Sequence, residues 1–151
     1  MMTCVRFKPS GDVMIHEPRS SCPINRCLEA LGDQWSLLIL RDIALHDRRS
    51  FREILSGNAE HISAPVLSRR LTDLTTSGFL TKVNAPRGKQ GKYSLTDLGL
   101  ATVPLLVELS RLGGLIDSTT QDADGLLVMD DSEIEERTEA LRARHLGSAG
   151  E

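Results

Sequence analysis

From residue 22 onward, apolar side chains recur at helical spacing in short runs, each bounded by a residue type that starts or stops a helix. Ile24, Cys27, Leu28 and Leu31 line one side of a first helix, which Pro23 suits at its start and Gly32 and Asp33 end. Trp35, Leu38, Ile39, Asp42 and Ile43 mark a second helix with Asp33 as its cap. Leu37 and Leu40 widen its apolar face, which implies contact with both the core and the first helix, and the single Trp reads as a core anchor. Ser50 and Glu53 have the spacing of a capping box for a short third helix, with Phe51, Ile54 and Leu55 facing inward. A polar connection over 56–60 leads to the central element. There Leu67, Leu71 and Leu74 share a face, Ser63 can cap, Pro65 is tolerated in the first turn and Gly78 ends the run.

Past Gly78 the period changes. Residues 79–83 and 93–95 read as two short strands, joined by Asn84-Ala85-Pro86-Arg87-Gly88-Lys89-Gln90-Gly91, which is basic and rich in turn formers. Short helix, turn, capped helix and basic hairpin follow one another in the order of a winged helix-turn-helix. The fold class expected is therefore mainly α (α+β), with helices at both ends available for dimerisation. From Leu95 a further helix begins, in which Leu98, Ala101, Leu105, Leu109, Leu112 and Ile116 form one stripe that Pro104 should bend. Gly113 and Gly114 are placed to end or flex this arm, and 117–125 reads as a linker. Residues 126–129 read as a short strand or a segment packed on a partner, and Ser132 with Glu135 as the capping box of a final helix to about His145. Three regions result: an arm over 1–21 without durable periodicity, the winged helix-turn-helix domain over 22–112 including the start of the dimerisation helix, and an acidic C-terminal extension over 113–151.

Charge changes this picture more than composition does. The chain has 151 residues, of which 40% are apolar, and its five aromatic residues leave the core mostly aliphatic. A formal charge of -3 argues weakly against a nucleic-acid partner, but it averages over unlike regions. Residues 1–40 are neutral, residues 41–100 carry +4 and residues 101–151 carry -7. Positive charge thus gathers around the central helix and hairpin. No run of 18 apolar residues occurs and residues 1–15 lack the core of a secretion signal, so a soluble, cytoplasmic protein without a membrane partner is expected.

Three cysteines, an odd number, point to thiols rather than structural disulfides. Cys22 falls at a helix start, where unpaired N–H groups favour a thiolate; the position suits a redox sensor or a small residue packed at a subunit contact. Cys27, on the apolar side, reads as a buried filler. A Cys22–Cys27 bridge is poor because the two side chains diverge along a continuous helix, which leaves an intermolecular bond, Cys4 or a small thiol as partner. No metal is expected, since neither a CxxC pair nor a His/Cys cluster at ligand spacing occurs. No cofactor and no enzymatic activity are expected either, because no nucleophile–base set or phosphate-cradling glycine pattern stands out.

The other face of the central helix carries Ser68, Arg69, Thr72 and Thr76, side chains able to bond phosphate oxygens or base edges, and Ser63 at its start and Arg70 beside Arg69 are further candidates for DNA contact. Arg69 offers a planar donor pair suited to guanine O6 and N7 or to a phosphate, and both arginines otherwise read as a solvated face. Arg70, one turn from Val66, is either a second DNA contact or a cover of the core edge, and Ser63, read with Ser68 as a phosphate contact, has capping as its alternative role. On the wing, Arg87, Lys89 and Lys92 are cations suited to a narrow minor groove, whether they read sequence or only add charge. Arg48 and Arg49 either contact phosphate or belong to a solvated loop.

Taken in order, Gly32-Asp33-Gln34-Trp35-Ser36-Leu37-Leu38-Ile39-Leu40-Arg41-Asp42, Arg49-Ser50-Phe51-Arg52-Glu53-Ile54, Ile62-Ser63-Ala64-Pro65-Val66-Leu67-Ser68-Arg69-Arg70-Leu71, Gly78-Phe79-Leu80 and Tyr93-Ser94-Leu95-Thr96-Asp97-Leu98-Gly99 resemble the HxlR-type transcriptional regulators, relatives of the MarR-like winged helix proteins. The resemblance covers about residues 22–110. It departs at Gly32-Asp33-Gln34-Trp35, which lacks a second glycine and a lysine, and at the glycine- and cation-rich wing.

The resemblance implies a homodimeric regulator of double-stranded DNA with a palindrome-like operator, whose central helix enters the major groove while the hairpin reaches the adjacent minor groove. It also implies a response to an oxidant, an electrophile or a small apolar effector, with the cysteine matching Cys22 as sensor in several members. The competing reading is a winged helix used as a protein-protein interaction module without specific DNA binding, which the negative net charge favours.

Overall fold

The computed structural model describes residues 17–86 and 91–147. Pro23–Leu31 (α1), Ser36–His46 (α2), Phe51–Gly57 (α3) and Ala64–Thr76 (α4) are followed by strands Leu80–Val83 (β1) and Lys92–Leu95 (β2). Asp97–Leu100 (α5), Thr102–Ile116 (α6) and Asp131–Leu146 (α7) complete the elements of the described residues. The fold is mostly helical with one small two-stranded sheet, a winged helix-turn-helix.

Local chemistry explains most boundaries. Asp33 accepts from the backbone N–H groups of Trp35 and Ser36 at 2.8 Å each and so starts α2. Burial opposes the charge of Asp33, yet the bonds from the Ser36 hydroxyl and these two N–H groups prevail and lower its pKa. Ser50 accepts from the Glu53 N–H at 3.1 Å and caps α3 as expected. Ser63 precedes α4 in extended conformation, but its hydroxyl makes no capping bond. Gly78, at φ +88°, turns the chain from α4 into β1 through a conformation that glycine adopts without steric cost.

The core is the meeting place of α2, α4 and the sheet. Ile39, Leu40 and Ile43 of α2 are fully buried with Leu67, Leu71 and Leu74 of α4 and Leu80 and Leu95 of the hairpin. Trp35 packs against this cluster in a half-buried position. Gly99 lets α5 approach the Phe79 carbonyl so closely that any side chain there would collide with it.

Several sequence expectations change. α5 and α6 are two helices, broken at Ala101, rather than one bent helix; Pro104 has no N–H to continue a helix and would clash with the Leu100 carbonyl. α6 runs through Gly113 and Gly114 to Ile116, so of the two roles expected for these glycines they do not end the helix. The final helix is capped two residues earlier than expected, by Asp130 with Glu133 instead of Ser132 with Glu135, because the Asp130 carboxylate reaches the Glu133 N–H and the Glu133 carboxylate returns to the Asp130 N–H. Residues 126–129 are not a strand: Leu126 is buried with Val107 and Ile134, and Asp122 accepts from the N–H groups of Leu126 and Leu127.

α1 buries only Leu31. Ile24 is 71% exposed, and Cys27, expected as a buried filler, is exposed as well, because among the described residues no element covers that side of α1. The far end of α6 is similarly bare, with Leu115 84% and Ile116 78% exposed. By length and composition Asp97–Ile116 would suffice to cross a membrane, with a mean hydropathy of 1.4. Its inner side, with Val103, Leu106 and Val107, is nonetheless buried in the chain's own interior.

Candidate nucleic-acid interface

α4 separates its side chains by chemistry. Leu67, Leu71 and Leu74 face the core, while Ser63, Ser68, Arg69 and Thr72 are exposed. The Thr72 hydroxyl donates to the Ser68 carbonyl at 3.0 Å. Arg69 makes no hydrogen bond or ion pair among the described residues. Its donors are available to a ligand.

Arg70 behaves differently. Expected as a second outward contact, it lies half-buried, with Nη1 3.3 Å from Asp73 Oδ2 and Nε 3.6 Å from Asp33 Oδ1. Two carboxylates draw it back toward the start of α2, the alternative that its position one turn from Val66 allowed. Arg48 and Arg49 are likewise engaged within the fold. Arg48 lies 3.1 Å from His46 Nδ1 and 3.5 Å from Asp42. Arg49 donates from Nε to the Tyr93 carbonyl at 3.1 Å and from Nη2 to the Ser94 hydroxyl.

The turn that sets α3 against α4 is built on Asp42, a carboxylate with no exposed surface. It accepts from Arg41 Nε and Nη2 at 3.1 and 2.8 Å and from the Asn58 amide at 3.0 Å. Asn58 in turn accepts from the Ile62 N–H at 3.0 Å. Arg41 also grips both Glu60 oxygens at 2.7 Å. That bond raises the Arg41 pKa and lowers that of Glu60, against opposing desolvation of each. Neither Asp42 nor Asn58 stood out in the sequence as functional; the available signal was a carboxylate lying in the apolar stripe of α2.

On the wing, the register pairs Leu80 with Leu95, Lys82 with Tyr93 and Val83 with Lys92. Lys92 is exposed at the start of β2, as is Lys82, which sequence reading passed over. The Lys82 ammonium sits 5.7 Å from the centre of the Tyr93 ring, so the two share one face of the hairpin. Arg87 and Lys89 lie outside the described residues.

Cys22 is the N-cap of α1 and is exposed, with its N–H donating to the Ser20 hydroxyl at 3.3 Å. Arg19 ties the preceding segment to α1 through Glu29 at 2.8 Å and Asn25 at 2.8 Å. Cys4 lies outside the described residues. Among the described residues, no three His, Cys, Asp or Glu side chains gather where they could hold a metal ion.

This arrangement has close counterparts. The model of the HxlR-like helix-turn-helix family matches residues 30–120. An uncharacterized HTH-type transcriptional regulator of Synechocystis sp. is 32% identical over 95 residues, spanning 61% of this chain and 67% of that protein. The uncharacterized HTH-type transcriptional regulator YvaP of Bacillus subtilis is 33% identical over 92 residues, spanning 60% and 83%. Among solved structures, the transcription-factor candidate PA1607 superposes with a TM-score of 0.60 at 36% identity, covering 76% of this chain and 78% of its own.

Proposed function

The chain belongs to the HxlR-like helix-turn-helix family of transcriptional regulators, and from that premise we propose that it acts as a homodimer reading a palindrome-like site on double-stranded DNA. The observation that carries this reading is Arg69, a guanidinium held outward on α4 without a partner among the described residues while its neighbour Arg70 is drawn inward. Arg69 enters the major groove and pairs with a guanine edge or a phosphate. Ser63 and Ser68 take backbone phosphates, Ser63 with a hydroxyl that the helix start leaves unused, and the Thr72 methyl meets a base methyl. Lys92, with Arg87 and Lys89, places cations along the neighbouring minor groove. Arg70 we assign mainly to holding α4 against the start of α2.

One such head contacts too few bases to discriminate well, so a second copy is needed. Ile24 and Leu28 of α1, and Leu112, Leu115 and Ile116 of α6, are exposed apolar side chains that a twin would cover. Cys22 is exposed at the start of α1, and oxidation or alkylation of its thiol alters the dimer and hence operator affinity. Cytoplasmic residence follows from a DNA target.

Duplexes selected from a random library by the purified protein supply the test. Affinity for the selected duplex falls steeply with salt and collapses in Arg69→Glu. A folded protein that selects nothing at low salt, or an Arg69→Glu variant that binds like the parent, leaves the interaction-module reading, which the exposed carboxylates of α7 favour. For the thiol, oxidant releases the parent from DNA and leaves Cys22→Ser bound; equal release of both excludes Cys22 as the sensor.

A further inference from the structure

The family match ends at residue 120, so α7 lies beyond the region shared with the family. It is nevertheless built into the same core: Leu141 is buried in the cluster that holds α2, α4 and the hairpin. Where α7 meets the wing, the contact is specific. The Thr96 N–H donates to the Phe79 carbonyl at 3.1 Å, which makes the 79–96 pair hydrogen-bonded and, by antiparallel alternation, turns the N–H groups of Tyr93 and Leu95 away from β1. These outward donors would be left open on an edge strand. The Tyr93 N–H donates to the Arg49 carbonyl at 2.6 Å, and the Leu95 N–H donates to His145 Nδ1 of α7 at 3.0 Å. The Arg49 guanidinium closes the set on the Tyr93 carbonyl and the Ser94 hydroxyl.

The outer edge of β2 is therefore held at both of its outward N–H groups, once by the start of the helix-turn-helix and once by the extension. Further ties keep α7 and the segment before it in place. Arg142 pairs with Asp97, Arg144 with Asp47 at 3.8 Å, and Asp124 lies 3.0 Å from His46. Accepting at Nδ1 leaves the imidazole proton on Nε2, which is buried without a partner, so the ring is kept for the one bond it makes to the strand.

We propose that α7 is a strap that sets the angle of the wing, and that His145 is the positioning residue through which it acts. The inference rests on the DNA-binding reading above and deepens it. Leu95 is three residues from Lys92 on a strand that rises about 3.3 Å per residue, so a shift at the anchor is carried about 10 Å to the cation. Loosening the strap disengages Lys92 from the minor groove while Arg69, mounted on α4, keeps its own contact.

A double-mutant cycle on the full-length dimer separates this role from general support of the fold. In the parent, Lys92→Gln weakens binding to the selected duplex by about threefold to tenfold. In His145→Phe, which keeps ring volume but removes the acceptor, affinity is already reduced by a similar factor and Lys92→Gln costs nothing further. Arg69→Ala costs the same in both backgrounds. His145→Asn, whose amide oxygen stands where Nδ1 does, restores both the affinity and the Lys92 effect. If His145→Phe does not fold, His145→Leu, smaller but equally without an acceptor for the Leu95 N–H, carries the same cycle. An undiminished Lys92 effect in the loosened background overturns the strap while leaving DNA binding intact. Loss of the Arg69 effect alongside it also overturns the strap, since the defect is then global. A parent that binds no duplex overturns both readings.

Discussion

Asn58 and Asp42 face each other across the turn between α3 and α4, the amide nitrogen donating to a carboxylate that solvent does not reach, at 3.0 Å. Because the Asn58 oxygen also accepts from the Ile62 N–H, one side chain links the end of α2 to the entry of α4. The orientation of the helix that carries Arg69 therefore depends on a buried polar contact as well as on packed leucines. Asn58→Ala would leave a carboxylate oxygen and a backbone N–H short of partners and is expected to cost about 2–3 kcal/mol of stability, measured by urea denaturation. A loss within error of zero would mean that apolar packing alone sets the turn.

The two adjacent arginines of α4 separate in their effects. Arg69→Ala lowers DNA affinity by about tenfold or more and leaves the melting temperature unchanged, since the exposed side chain makes no hydrogen bond or ion pair among the described residues. Arg70→Ala lowers stability by about 1 kcal/mol through its lost contacts to Asp33 and Asp73, with the smaller effect on binding. Paired melting and binding titrations check both; the reverse pattern would exchange their roles.

Acid weakens the strap. His145 is 5% exposed, and burial first, then the nearby Arg49 charge, lowers its pKa to about 4; Arg144 adds to the lowering and Asp47 opposes it. The folded state therefore binds fewer protons than the unfolded chain between about 4 and 6.5. The contribution of the neutral ring is present in full above about 6.5 and is lost as pH falls toward 4, amounting to at most about 3 kcal/mol. Glu60 and Asp33, both with lowered pKa values, add losses only below the ordinary carboxylate range. In urea melts at successive pH values, His145→Asn should flatten the upper window and leave the more acidic loss in place. An unchanged profile would show that His145 does not titrate there.

The bare apolar ends of α1 and α6 predict the effect of charge at the seam. Leu115→Glu, at a site 84% exposed in the single chain, should leave the fold intact and weaken self-association by about 100-fold or more, read by sedimentation. A Leu115→Glu protein that sediments as the parent does would place the dimer surface elsewhere.

The frame of the molecule was legible because its signals are local. Leu67, Leu71 and Leu74 repeat at a helical period, Ser50 and Glu53 stand at capping distance, and Gly78 marks the passage from helix to strand. What the chain alone hid depends on contacts distant in sequence. Arg70 looks like Arg69 until Asp33, 37 positions away, is seen beside it. Arg49 reads as a solvated loop residue until β2 is folded against it, and His145 as the end of a surface helix until it meets Leu95. Cys27 shows the converse: its period is that of a core residue, but no surface among the described residues covers it.

Spacing between half-sites tests the central claim most directly. Two α4 helices held in one dimer should meet a single duplex at centres about 34–36 Å apart, one turn of DNA. Starting from the selected site, inserting half a helical turn between its halves turns the second head away from its groove. Fluorescence anisotropy at fixed salt should then show affinity reduced to the level of a single half-site, with recovery when a full turn is restored by a dimer that flexes enough to span it. Affinity that is indifferent to the half-turn insertion would contradict a two-headed reader and with it the assignment of the α1 and α6 surface to dimerisation.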